Sequence, residues 1–166
     1  MDDKIYIFLD IDGVLNSQAN LKDFDRGGTE VENVSSFFMT FHVEHLNEII
    51  RGLGGPNKVL VILSATMRNY HSLEVLQSAL EMKGFIGKLV GKTGPNVRSG
   101  KEGEPFPRAV EIQTFLDENP HVKNFLILDD AEMNEELTKF AVRTSFQKVG
   151  GGLREHHVRL AIHKCS

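Results

Sequence analysis

Acidic residues follow two apolar stretches of the sequence, a position from which carboxylates can bind a metal or act as nucleophiles. The stretch "KIYIFLDIDG" places Asp10 and Asp12 two positions apart after an apolar run, and "NFLILDD" places Asp129 and Asp130 directly after another. Ligands of open parallel sheets bind at the carboxyl ends of the strands, and alternate residues of an extended segment face the same way. We therefore expect up to four carboxylates to lie close together at one edge of a sheet.

Such a group of carboxylates calls for a cation. Like charges at short distance disfavour each other's ionisation, so the cluster is unstable by itself. Ligands that are all oxygen favour a hard metal, with Mg²⁺ ahead of Ca²⁺ and Mn²⁺. A metal also offsets the charge of a phosphate group. The two acidic strand ends therefore predict a site for a hard metal, Mg²⁺ before the others, and a phosphate substrate would suit such a site.

Apolar runs alternate with helical patterns along the whole chain, and together they predict the fold class. Strands are predicted at 4–12, 58–63 and 124–130, with further strand-like segments at 85–90 and 141–145. Helices are predicted within 42–54, 69–84, 108–120, 132–140 and 150–164. Strands that are apolar at every position need cover on both faces, which is typical of a parallel sheet between helices. We expect an α/β, Rossmann-like three-layer sandwich with a mainly parallel central sheet.

The length of 166 residues suits one domain. Residues 16–41 show no clean period, and we interpret them as a small flap or insertion, a minimal cap within a single domain spanning 1–166. His42 and His45 lie three apart on a predicted helix, but no cysteine or third ligand accompanies them, so a zinc site is not expected.

Bulk properties exclude some classes of protein. The net charge of −4 is not typical of a nucleic-acid-binding protein as a whole, although a local basic site remains compatible with it. No apolar run approaches the roughly 20 residues that a membrane-spanning helix needs. A single cysteine, Cys165, favours a reducing compartment. We expect a cytoplasmic protein without a membrane partner.

Three segments of the chain resemble motifs of the haloacid-dehalogenase-like (HAD) hydrolase superfamily. "FLDIDGVLNS" resembles the first motif, "VILSATMR" the second and "FLILDDAEM" the fourth, in the correct order. The details are most similar to the small HAD domains of the Swiss-army-knife RNA repair type, through "LSATMR", "RAVEIQTFL" and "GGGLREHHV". Met67 and Phe115 stand where that family tends to have Trp, and both keep an apolar side chain. The resemblance covers nearly the whole chain.

The resemblance implies a phosphatase with assigned catalytic residues. Asp10 corresponds to the nucleophile that forms an aspartyl-phosphate, and Asp12 to the general acid and base. Ser64 corresponds to the residue that hydrogen-bonds a phosphoryl oxygen. Arg108 is our choice for the cation that neutralises the phosphoryl charge, and Lys101 and Lys92 on the preceding loop are its rivals.

The metal and substrate contacts follow from the same motifs. The resemblance implies that Mg²⁺ is held by Asp10, by the backbone carbonyl of Asp12 and by Asp129 or Asp130. The candidate substrate contacts flank the motifs or lie on the loop before Arg108; they are Asn16, Ala65, Arg68 and Lys101.

The insertion is short, and a short cap leaves a site open to large substrates such as a polynucleotide end or a nucleotide. Residues 88–108 carry five basic and two acidic residues, which could follow a phosphate backbone or simply form a solvated loop. Phe37, Phe38 and Phe41 offer a stacking surface or core packing. Alternatives are a small-metabolite phosphatase and a non-catalytic phosphate-binding HAD module. The sequence points to no particular protein partner.

Overall fold

A computed structural model describes residues 3–20, 28–94, 106–147 and 149–165. Its centre is a five-stranded sheet in the order β3-β2-β1-β4-β5, in which every neighbouring pair is parallel. The strands are β1 Ile5–Leu9, β2 Val59–Leu63, β3 Leu89–Lys92, β4 Phe125–Asp129 and β5 Ala141–Arg143. The prediction of an α/β fold around a parallel sheet is confirmed.

Helices connect the strands. They are α1 Glu30–Ser35, α2 Thr40–Gly52, α3 Leu73–Glu81, α4 Pro107–Glu118, α5 Glu135–Thr138 and α6 Glu155–Cys165, with short 3₁₀ helices at Gln18–Asn20 and Thr66–Asn69. The predicted helix within 69–84 begins later than its pattern suggests, because the Ser72 hydroxyl accepts a hydrogen bond from the Val75 N–H and caps α3. No helix in the described ranges is long and apolar enough to cross a membrane.

The two faces of the sheet bury separate cores, as a three-layer sandwich requires. Ile7 and Leu9 of β1 belong to the core that α2, α3 and α6 complete. Phe8 belongs to the opposite core, together with Ala109 and Ile112 of α4. Successive residues of a strand point to opposite faces, so an apolar residue at every position is what this arrangement needs.

The segment 16–41 is more regular than its sequence pattern suggested. Within it, α1 packs against α3 and begins at a capping residue, Thr29, whose hydroxyl accepts a hydrogen bond from the Glu32 N–H at 3.2 Å. The Thr-x-x-Glu spacing is a known signal for a helix start. Residues 30–35 therefore form a regular helix that the sequence pattern did not predict, while 21–27 lie outside the described residues.

A histidine pair joins α2 to the turn before α6. The Nδ1 atoms of His42 and His45 lie 2.8 and 2.9 Å from the Leu153 carbonyl oxygen, so each donates a hydrogen bond there when its ring is neutral. The ring of His42 also packs on Gly152, where a Cβ atom would come within 2.3 Å of it. The pair thus anchors the turn before α6.

We predict that this packing makes the protein less stable in mild acid. Burial lowers the pKa of His42 from 6.5 to about 4, and burial together with the neighbouring His156 lowers that of His157 to about 4. The unfolded chain therefore binds protons more readily, and stability falls as the pH drops from about 6.5 towards 4, by up to about 3 kcal/mol for His42.

Urea unfolding at pH 7 and pH 5 measures this effect. His42→Asn retains an amide donor for Leu153 but does not titrate, so its stability should change less between the two pH values. His163→Asn, at an exposed position of α6, is the control and should behave like the wild type. An unchanged pH dependence in His42→Asn would show that His42 is not responsible.

Candidate active site

The register of the sheet brings three polar residues side by side at its carboxyl edge. Leu9 pairs with Leu63 on one side and with Leu128 on the other. The residue after each of these leucines therefore lies at the same level of the sheet. These residues are Asp10, Ser64 and Asp129.

The alternation of the strands turns these side chains towards α4. Phe8, two positions before Asp10, belongs to the core under α4, and residues two apart in a strand share a face. Arg108 lies in the first turn of α4, and its guanidinium lies 3.6 Å from an oxygen of Asp10 and 3.6 Å from an oxygen of Asp129. The arginine that sequence reasoning favoured over Lys101 and Lys92 thus faces the acids. Lys101 lies outside the described residues, and the Lys92 ammonium donates to the Arg68 carbonyl.

Three carboxylates converge at this edge. Oxygen atoms of Asp10, Asp129 and Asp130 all lie within 4.8 Å of one another. The side chain of Asp12 is exposed in the turn after β1 and is not part of this group. Gly13 permits the close approach, because a Cβ atom there would lie 2.5 Å from a carboxylate oxygen of Asp130, and its φ of +85° suits glycine.

Burial makes this cluster electrostatically costly. It raises the pKa of Asp10 well above the ordinary value, and the charge of Asp129 raises it further. Burial also raises the pKa of Asp129, against the opposing effect of Arg108. One arginine therefore does not balance the acids at neutral pH. A bound cation would supply the missing positive charge.

Several buried polar atoms at the site have no hydrogen-bond partner among the described residues. They are Ser64 Oγ, Arg108 Nη1 and Asp129 Oδ2. A buried polar atom without a hydrogen bond is rare in proteins, and an ion or a ligand can supply the missing partner. A hydroxyl and a guanidinium suit an anion, and a carboxylate oxygen suits a cation. The residues present therefore fit a divalent metal together with a phosphoryl group.

Arg68 has a different role from the substrate contact that the sequence suggested. Its side chain is 4% exposed, and all five of its N–H donors are used within the protein. The acceptors are the carbonyls of Ser64, Ala65, Thr93 and Gly94 and the carboxylate of Glu111. Arg68 thus ties the turn after β2 to β3 and α4, and holds Ser64 in place.

Two further expected substrate contacts, Asn16 and Ala65, are enclosed within the protein. Asn16 is fully buried and bonded within the protein. Ala65 is buried, and its carbonyl accepts hydrogen bonds from Arg68. Of the three phenylalanines proposed as a stacking surface or as core, Phe38 is fully buried in the core, whereas Phe41 is 42% exposed.

Comparison with known proteins now identifies the family. A sequence model described as the HAD domain in Swiss Army Knife RNA repair proteins matches residues 6–158. The chain belongs to this family. Comparisons with curated proteins and with solved structures gave no significant match. Membership of the HAD family supports a phosphatase-like hydrolase function, and its typical use of a divalent metal agrees with an aspartate cluster that could bind one.

We predict that the carboxylate cluster lowers the stability of the metal-free HAD domain. Asp129→Asn removes a buried charge but retains the Oδ1 acceptor for the Ala131 N–H. Without metal, the variant should therefore be more stable by about 1 kcal/mol, a rise of about 2–4 °C in the melting temperature. With excess Mg²⁺ the order should reverse, because only the wild type gains binding free energy.

Thermal unfolding with EDTA and with Mg²⁺ measures both effects. Asp117→Asn, on the exposed side of α4, is the control and should follow the wild type in both buffers. An equal Mg²⁺-dependent shift in Asp129→Asn would rule out Asp129 as a metal ligand.

Proposed function

We propose that this chain is a Mg²⁺-dependent phosphomonoesterase that works through an aspartyl-phosphate formed on Asp10. The proposal rests on three buried atoms beside Asp10 that make no hydrogen bond among the described residues, namely Ser64 Oγ, Arg108 Nη1 and Asp129 Oδ2. Together they offer two donors to an anion and one acceptor to a cation. A phosphoryl group with a divalent metal satisfies all of them at once.

The first step transfers the phosphoryl group to the protein. A carboxylate oxygen of Asp10 attacks phosphorus, and the bond between phosphorus and the leaving oxygen breaks. Asp12 gives a proton to that oxygen, which departs as an alcohol. Arg108 and Ser64 donate hydrogen bonds to the phosphoryl oxygens, whose charge must be balanced through the transfer.

The second step releases phosphate and restores the protein. Asp12, now a carboxylate, takes a proton from water as the water oxygen attacks phosphorus. The bond between phosphorus and Asp10 then breaks, which regenerates the carboxylate. Mg²⁺, held by Asp10, the Asp12 carbonyl and Asp129 or Asp130, would offset the phosphoryl charge when bound.

Replacement of the nucleophile tests this mechanism. Asp10→Asn should lower the Mg²⁺-dependent hydrolysis of an aryl phosphate by at least about 10³-fold, because the amide oxygen is a poor nucleophile. Acid-quenched wild type should carry a phosphoryl group labile to hydroxylamine, and the variant should not. Asp3→Asn, at an exposed position before β1, is the control. Undiminished hydrolysis by Asp10→Asn would exclude Asp10 as the nucleophile.

Polynucleotide ends or nucleotides are the substrate class that we favour. The family description refers to RNA repair proteins. The insertion is small, and the sequence of residues 88–108, which leads to Arg108, has an excess of basic residues. Lys92, at the carboxyl end of β3, is exposed, and Arg108 reaches the acids. A positive approach to an open site suits a phosphate on a long, anionic strand.

A substrate panel distinguishes this class from small metabolites. We expect kcat/KM to be at least about tenfold higher for a 3′- or 5′-phosphorylated oligonucleotide than for a sugar phosphate, with the advantage falling as salt rises. Mononucleotides should lie between the two. Equal and weak activity on all three would contradict the polynucleotide proposal, and a preference for the sugar phosphate would favour a small-metabolite phosphatase.

A further inference from the structure

Asn16 is joined to the turn that carries Asp12 by two hydrogen bonds. Its Oδ1 accepts from the Gly13 N–H at 3.0 Å, and its Nδ2 donates to a carboxylate oxygen of Asp12 at 3.0 Å. The same Nδ2 donates to the Phe37 carbonyl, also at 3.0 Å. Asn16 therefore connects the turn after β1 with the segment that precedes α2.

The surroundings fix the orientation of this amide. The Gly13 N–H can only donate, so it must face Oδ1, while a carboxylate and a carbonyl can only accept, so they must face Nδ2. Both amide hydrogens and the amide oxygen thus have partners inside the protein, and the side chain is 0% exposed. A side chain held in this way is not available to touch a substrate, contrary to what its place in the first motif suggested.

The hydrogen bond from Asn16 restrains the carboxylate of Asp12. Asp12 lies beyond the end of β1, and its side chain is exposed, so the sheet and the core do not restrain its carboxylate. An unrestrained side chain spends part of its time in rotamers that point away from the reacting oxygen. Proton transfer requires the carboxylate oxygen and the reacting oxygen to lie about 3 Å apart, and a small displacement of the carboxylate lowers the rate strongly.

We propose that Asn16 is a positioning residue that holds the Asp12 carboxylate for proton transfer to the leaving oxygen and ties it to the insertion through Phe37. This inference rests on the proposed function. It predicts a selective defect, because only leaving groups that need a proton depend on Asp12. A merely structural asparagine would affect all substrates alike.

The chain offers a matched control in Asn47 of α2. Asn47 is 1% exposed, and its Oδ1 accepts from the Ile86 N–H at 3.0 Å. Its Nδ2 donates to the Glu44 carboxylate at 3.1 Å and to the Gly84 carbonyl at 2.8 Å. The bonding pattern is the same as that of Asn16, but Ile86 precedes β3 and lies away from the carboxyl ends of the strands.

The experiment compares Asn16→Asp and Asn16→Ser with Asn47→Asp and Asn47→Ser. The Asp variants retain the acceptor for the backbone N–H and remove both amide donors. The Ser variants introduce no charge, and they serve as replacements if an Asp variant does not fold. The measured quantity is kcat/KM, which reports the steps up to formation of the aspartyl-phosphate. Two substrates are used: 2,4-dinitrophenyl phosphate, whose leaving group departs unprotonated, and glycerol phosphate, whose alkoxide needs a proton.

We expect the Asn16 variants to lose about 10- to 100-fold on glycerol phosphate and less than about threefold on 2,4-dinitrophenyl phosphate. The Asn47 variants should show similar shifts in melting temperature and no difference between substrates. In an Asp12→Asn background, replacement of Asn16 should cost no further activity on glycerol phosphate, because both changes remove the same proton transfer.

Two results would overturn the inference. One is an equal loss on both substrates in the Asn16 variants, and the other is an additive loss in the double variant. Failure of the proposed function has a different signature, because Asp12→Asn itself would then show no selectivity between the substrates, or Asp10→Asn would remain active.

Discussion

The burial of carboxylates at one end of a parallel sheet is the constraint on which the rest of this structure depends. Asp10 and Asp129 are almost inaccessible to solvent, and Asp130 lies within 4.8 Å of both. Like charges at this distance repel, and burial removes the water that would screen them. Arg108, in the first turn of α4, balances part of this negative charge. The remaining charge makes the site receptive to a cation, at the expense of stability in its absence.

The sheet supplies the rigidity that such a cluster needs. β1 is the central strand and is paired along its length on both sides, so Asp10 cannot move without disturbing two ladders. Arg68 stiffens the neighbouring turn with five hydrogen bonds, and Gly13 brings Asp130 close to the chain. A site held by backbone pairing in this way is already arranged before any ligand binds.

Hydrogen-bond satisfaction separates supporting residues from those that face a ligand. Arg68 and Asn16 are as buried as Ser64 and Asp129, yet their polar groups have partners within the protein. Ser64 Oγ and Asp129 Oδ2 have none among the described residues. Residue type and motif position made all four candidates for contact with substrate or metal. Only the balance of donors and acceptors distinguishes residues bonded within the protein from residues whose polar atoms are available to a ligand.

The sequence by itself determined the fold class and the place of the site, because uninterrupted apolar runs require cover on both faces of a sheet and acids at their ends mark its carboxyl edge. It also carried the family, through motifs around Asp10, Ser64 and Asp129. It contained the capping signal of α1 at Thr29, which pattern analysis alone overlooked. Only the tertiary structure decided that Arg108 meets the acids, that Arg68 donates to the Ser64 carbonyl and that Asn16 donates to the Asp12 carboxylate. These roles depend on which side chains meet across strands and helices, and spacing along the chain does not encode those distances.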